Sequence, residues 1–235
     1  MSRTARALTL TAMMFVASVV AASDAAITED WQKKTRQSLE LLKRGEYNAS
    51  LKLSERVIRD MADHLGPGDR ETRSFGIALT HKALALAGLQ REDEARWYWH
   101  IALNLYPALA KFDLVPFGKP GEFLLAHTEL RKPAEIPRLP YPPTANMTAP
   151  RPKKRVEPKY PLGARYFDVS GITIVEVLIT RDGKVSSPHV LKALPAPTLM
   201  YATLDALRHW TFEPATSDGQ PTDVVFNLTF NYKLR

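Results

Sequence analysis

The 235-residue chain contains no cysteine, which excludes disulfides, thiolate metal sites and a lipoprotein anchor. Its histidines, His64, His81, His100, His127, His189 and His209, include no i,i+4 pair and no other metal-ligand spacing. No phosphate loop, nucleophile elbow or dinucleotide fingerprint is present. The expectation is therefore a non-enzyme, with no catalytic residue, no metal and no cofactor. Long apolar runs are scarce too. The run Ala7–Ala22 near the N-terminus falls short of the ~20 residues that a membrane-spanning helix needs.

That run follows Arg3 and Arg6, and Val20-Ala21-Ala22 and Ala21-Ala22-Ser23 supply the small residues a signal peptidase accepts. Residues 1–22 are read as a cleaved export signal, with an uncleaved inner-membrane anchor as the alternative. The formal net charge is +7, and Arg3 and Arg6 would leave with the signal. Lys153-Lys154-Arg155 sits among prolines and reads as a solvated charge run. With no stacking platform or recognition helix, nucleic acid is not an expected partner.

The remaining length suits two small domains joined by a linker. From 27 to 131 apolar residues recur at helical spacing, with Trp31, Leu39 and Leu42 in a first helix. Leu51, Leu53, Val57 and Ile58 carry a second, a third runs from about Glu71 to Leu86, and a fourth from near Glu92 to Pro107. Glu122–Leu130 is expected as a capping helix. The last pair resembles a tetratricopeptide repeat: Ala95, Trp99, Ala102 and Pro107 fall at the small, aromatic, small and proline positions of that motif's second helix. The resemblance implies a surface for peptide or protein; a plain all-α spacer is the rival reading. Three adjacent aromatics, Trp97, Tyr98 and Trp99, cannot share one helical face, so some should be exposed or buried under the capping helix.

Residues 132–157 are rich in proline and read as an extended tether. At about 3.1 Å per residue, such a chain reaches roughly 80 Å at most.

Residues 158–235 read as a small α+β domain, a three-stranded antiparallel sheet with one packed helix. Pro158-Lys159-Tyr160-Pro161 opens it, with Leu162 to Phe167 as a short helix or turn. Ile172–Thr180 is a strand, Asp182-Gly183 a tight turn, and Val185–Lys192 the returning strand. Thr198–His209 is helical, closed by Trp210 and Phe212. Val224, Phe226, Leu228, Phe230 and Tyr232 alternate with Val225, Asn227, Thr229, Asn231 and Lys233, giving a core face and a wet face.

From Pro158 to Tyr232 the sequence resembles the C-terminal domain of the TonB family: the opening Pro158, Tyr160 and Pro161, the glycine-led run Gly171–Val177, the turn Arg181–Lys184, the stretch Trp210–Ala215 and the last strand. The resemblance implies a non-catalytic, energy transducer-like protein of the Gram-negative periplasm, linked to transmembrane transport. In that family the last strand pairs with an extended segment, the TonB box, of an outer-membrane transporter. This implies partner binding by Val224, Val225, Phe226, Asn227, Leu228, Thr229, Phe230, Asn231 and Tyr232 through strand addition. A homodimer that pairs the same edge is the rival. The family's transducers couple to inner-membrane motor proteins through an anchor bearing a Ser and a His, and the run Ala7–Ala22 has no histidine. A structural envelope adaptor that binds peptidoglycan or protein and moves nothing is the alternative function.

Overall fold

Apolar residues three and four apart commit the first half of the chain to helices that must bury those faces against neighbouring elements. The computed structural model describes residues 26–66, 68, 71–129 and 146–233; the expected export signal and the first part of the expected tether lie outside these residues. Helix α1 spans 26–43, followed by α2 (Tyr47–His64), α3 (Thr72–Gly88) and α4 (Glu92–Leu105). Two short 3-10 turns, Pro107–Lys111 and Val115–Phe117, lead to α5 (Lys119–Ala126). Helix α3 packs between α2 and α4 and also against α5. Its Phe75, Leu79 and Ala83 are fully buried, so a helix with little amphipathic bias is stable only because neighbours surround it. The α1–α2 pair is pinned by polar bonds, Trp31 Nε1 donating to Asp60 at 2.6 Å and Ser38 meeting Ser50 at 2.8 Å. Among the described residues no helix is long and apolar enough to cross a membrane.

The second half contains β1 (Met147–Thr148), β2 (Arg151–Lys154), α6 (Leu162–Tyr166), β3 (Gly171–Ile179), β4 (Val185–Lys192) and α7 (Pro197–Leu207). Strands β5 (Thr211–Glu213), β6 (Ala215–Ser217), β7 (Gln220–Thr222) and β8 (Val224–Tyr232) complete it. The main sheet is antiparallel in the order β4-β3-β8, with α7 against its core face, where the Thr203 and Tyr232 hydroxyls meet at 2.6 Å. The chain is thus multidomain, an all-α module followed by a small α+β unit.

The turn between β3 and β4 forms as Asp182-Gly183 requires. The Gly183 N–H donates to Thr180 O at 2.8 Å and the Thr180 N–H to Lys184 O at 2.9 Å. Gly183 sits at φ +74°, and a Cβ there would lie 2.0 Å from the Phe212 carbonyl oxygen. Both conformation and space demand glycine.

Part of the expected tether differs from the reading above. Strand β2 pairs with β5, Arg151 opposite Glu213 and Pro152 opposite Phe212, while β1 pairs with β6. Trp210 reinforces this by donating from Nε1 to Val156 O at 2.8 Å. Proline lowers strand propensity, but on a short two-stranded ribbon it costs no ladder bond if its nitrogen faces outward.

The two halves also share one core. Trp97, Tyr98 and Trp99 are all buried, and α4 is covered on several sides, by α3 and α5 of its own module and by β4 and α7 of the other. The expectation that the aromatics are exposed or lie under the capping helix missed this second cover. Trp97 Nε1 donates to Leu204 O at 3.2 Å, Tyr98 to Asp205 at 2.7 Å, and Arg208 pairs with Glu94 at 2.8 Å. Gly163 lets α6 approach the end of α2, since a Cβ there would be 2.3 Å from Leu65 O.

Candidate functional site

Strand β8 lies at one border of the main sheet, and its other side carries no strand among the described residues. It pairs with β3 through nine consecutive positions, from Gly171 opposite Tyr232 to Ile179 opposite Val224, without a register shift. It contains no proline. Such a long, regular border is what natural sheets ordinarily disrupt.

Which backbone groups it offers follows from alternation along β3. Thr180 bonds across the turn to Lys184, on the β4 side. Counting back, Ile179, Val177, Val175, Thr173 and Gly171 direct N–H and C=O towards β8. Their partners Val224, Phe226, Leu228, Phe230 and Tyr232 therefore bond inward to β3. Val225, Asn227, Thr229 and Asn231 then present their main-chain groups to the open side. The Val190 N–H gives an independent check. It bonds away from β3, to Asn104 at 2.9 Å, and Val190 lies opposite Val175, so Val175 bonds β8 as counted.

Side-chain faces follow the expected alternation from Phe226 to Tyr232. Leu228, Phe230 and Tyr232 are buried, Phe226 is half-buried, and Asn227, Thr229 and Asn231 are exposed. Val225 departs from it, being buried where a wet-face residue was expected. Its neighbours on that face, Leu178 and Glu176 of β3, are half-buried and buried, so the face is not wet along its whole length. Burial raises the Tyr232 phenol to about 12, with the Thr203 hydrogen bond opposing that rise. The opening motif lies beside the same end of the strand. The Tyr160 hydroxyl donates to Val169 O, its ring packs edge-on against Tyr232 at 5.6 Å between centroids, and Pro161 leads into α6. Pro158 is half-buried.

The opposite border is closed. The Asn104 amide of α4 accepts from Val190 N–H at 2.9 Å and donates to Pro188 O at 2.9 Å, so it takes the place of a strand. Pro188 has no N–H to offer, and Ser187 at φ +47° lies within an interruption of the β3–β4 register. Sequence reasoning missed Asn104 altogether.

Between the modules, α2, α3, α4 and α7 line a cleft of about 570 Å³ that includes Glu55, Lys82, Tyr98, Tyr201 and Asp205. Lys82 is buried there, 3.2 Å from Glu55 and 3.7 Å from the centre of the Tyr98 ring. Burial holds its pKa below the ordinary lysine value despite the Glu55 charge. Burial alone would raise Glu94, but bonds from Arg91 and Arg208 outweigh it and hold that carboxyl low. The Arg208–Glu94 pair ties the modules together, while Lys82–Glu55 joins α3 to α2 within the helical module. Among the described residues, no group of three or more His, Asp or Glu side chains could hold a metal ion.

The small α+β unit thus has one border capped by Asn104 and one border without a neighbouring strand among the described residues. Residues 156–234 match the family model described as Gram-negative bacterial TonB protein C-terminal, and this part of the chain is a TonB C-terminal domain. Protein TonB of Escherichia coli (strain K12) is 32% identical over 90 residues, 38% of this chain and 36% of that protein. Protein TonB of Yersinia enterocolitica is 28% identical over 92 residues, covering 39% and 36% respectively. The match with Protein TonB of Vibrio cholerae is 26% over 80 residues, 34% and 33%. The chain thus spans about a third of the length of these curated relatives.

Proposed function

We propose that this chain is a non-catalytic, energy transducer-like protein of the TonB family, working in the periplasm of the Gram-negative envelope. It docks by adding an extended partner segment to the open side of β8. The partner is a TonB-dependent outer-membrane transporter or a comparable envelope protein, which links the chain to transmembrane transport. The observation that supports this best is the contrast between the two borders of one sheet: β4 is interrupted, proline-bearing and capped, while β8 is regular, proline-free and bare among the described residues. Backbone bonds to Val225, Asn227, Thr229 and Asn231 would supply affinity, and the exposed side chains of Asn227, Thr229 and Asn231 would supply selectivity. The helical module is proposed to carry a tetratricopeptide-like protein-binding surface.

The test is Asn227→Pro in the full chain, assayed for binding a synthetic TonB-box peptide. Because the Asn227 N–H faces the open side, proline there removes a docking donor and spares the β3 ladder. Binding should be lost with the circular dichroism spectrum retained. Leu228→Pro, one residue along, should instead unfold the sheet. Unchanged peptide binding by Asn227→Pro refutes strand addition at this border. Mass spectrometry of the native N-terminus separates the readings of anchorage: retention of residues 1–22 favours a membrane-held transducer, and their loss a soluble adaptor.

A further inference from the structure

We propose that Asn104 makes the helical module an edge guard, which prevents copies of this chain from adding head to tail, β8 of one copy onto β4 of the next. The inference uses the open border of β8 established above and does not depend on which envelope protein that border captures.

A three-stranded sheet has two unlike borders. If both were free, β8 of one copy could pair with β4 of a second, whose own β8 would remain free for a third. Contacts between unlike surfaces leave a free border at each end, so the product is a continuous sheet that keeps growing unless its curvature closes it into a ring. A chain that keeps β8 bare for docking must therefore disable β4. Within β4 itself the register interruption and Pro188 do part of this. They leave Pro188 O and Val190 N–H pointing outward. Asn104 satisfies both, at 2.9 Å each, and its Nδ2 also donates to His100 O at 2.8 Å, which fixes the amide on its helix.

The guard belongs to another module, so it holds only while α4 is docked. Trp97 on Leu204 O, Tyr98 on Asp205 and Glu94 on Arg208 keep α4 in place beside β4. Replacing Asn104 leaves two outward groups of β4 without partners beneath the helix. This penalises the docked arrangement and favours the open one.

The experiment compares the full wild-type chain with Asn104→Ala and with Asn104→Ala/Asn227→Pro by sedimentation velocity over a range of concentrations, with amide exchange followed at Val190. Asn104→Ala should form species that keep growing with concentration, and Asn104→Gln, which retains the amide, should suppress them. Proline at position 227 in the double variant should abolish the assembly, because β8 is the donor strand. Val190 in the wild-type chain should exchange at least about tenfold more slowly than Asn227, a contrast one bonded and one open amide produce. This comparison stands even if Asn104→Ala fails to fold. Asn104→Ala that sediments as wild type with Val190 still protected overturns the proposal. So does assembly that survives Asn227→Pro, or wild-type Val190 exchanging as fast as Asn227. Failure of the wild-type chain to bind a TonB-box peptide would count against the docking function alone and would leave these outcomes unaffected.

Discussion

The Tyr98 hydroxyl donates to the Asp205 carboxylate at 2.7 Å, joining residues 107 positions apart across the boundary between the helical module and the sheet domain. Burial, followed by the Asp205 charge, drives the Tyr98 phenol well above its ordinary pKa, so it remains a donor throughout the stable pH range. Tyr98→Phe leaves the carboxylate half-buried without this partner and should cost about 1–3 kcal/mol. Urea denaturation of the full chain checks it. The two modules share a core, so the loss should displace one common transition; two separate transitions, with only one displaced, would contradict a shared core.

Acid should destabilise the fold through two histidines. Burial lowers the pKa of His81 to about 4, and burial likewise lowers His100 to about 4 despite its bond to the His127 carbonyl. Unfolded, both take a proton near 6.5. Between about 6.5 and 4 the unfolded chain binds protons that the folded chain refuses, so stability is complete above this window and declines as pH falls through it. Each residue contributes on the order of 3 kcal/mol to the decline. Urea midpoints measured from neutral pH downward should show it, and His81→Gln should remove part of the slope.

Gly183→Ala should be among the most damaging single-methyl changes in the domain. The residue has a positive φ, and the new Cβ would lie 2.0 Å from the Phe212 carbonyl oxygen. The β3–β4 turn must then move away from β5, breaking the bond from Phe212 N–H to Gly183 O at 2.8 Å. A loss of about 2–4 kcal/mol, read by thermal or chemical denaturation, combines the strain and the lost bond.

The elements legible in the sequence were those with a local cause. Strand β4 and strand β8 fall where their composition placed them, because period-two alternation and the Asp182-Gly183 turn are written in neighbouring residues. Helices α3 and α4 match to within two residues at each end. Strands β1 and β2 were hidden by Pro150 between them and Pro152 within β2, since what pairs them is the distant run Thr211–Ser217. The hairpin of β6 and β7 turns on Asp218-Gly219, both at positive φ. The same dipeptide had identified the earlier turn, so that signal was present and went unused. Docking of the modules left one trace, the three adjacent aromatics of α4, which demanded cover on more than one side. Asn104 left none, because a single amide that completes a strand border has no periodic signature.

The unbroken register of β8 also governs how the sheet would respond to force. Tension along a strand laid beside it would load its hydrogen bonds together, in shear, where a pull across the border would open them one at a time. Nine straight positions joined to β3 would spread that tension into the centre of the sheet, so an attachment built only of weak links could still sustain a tug.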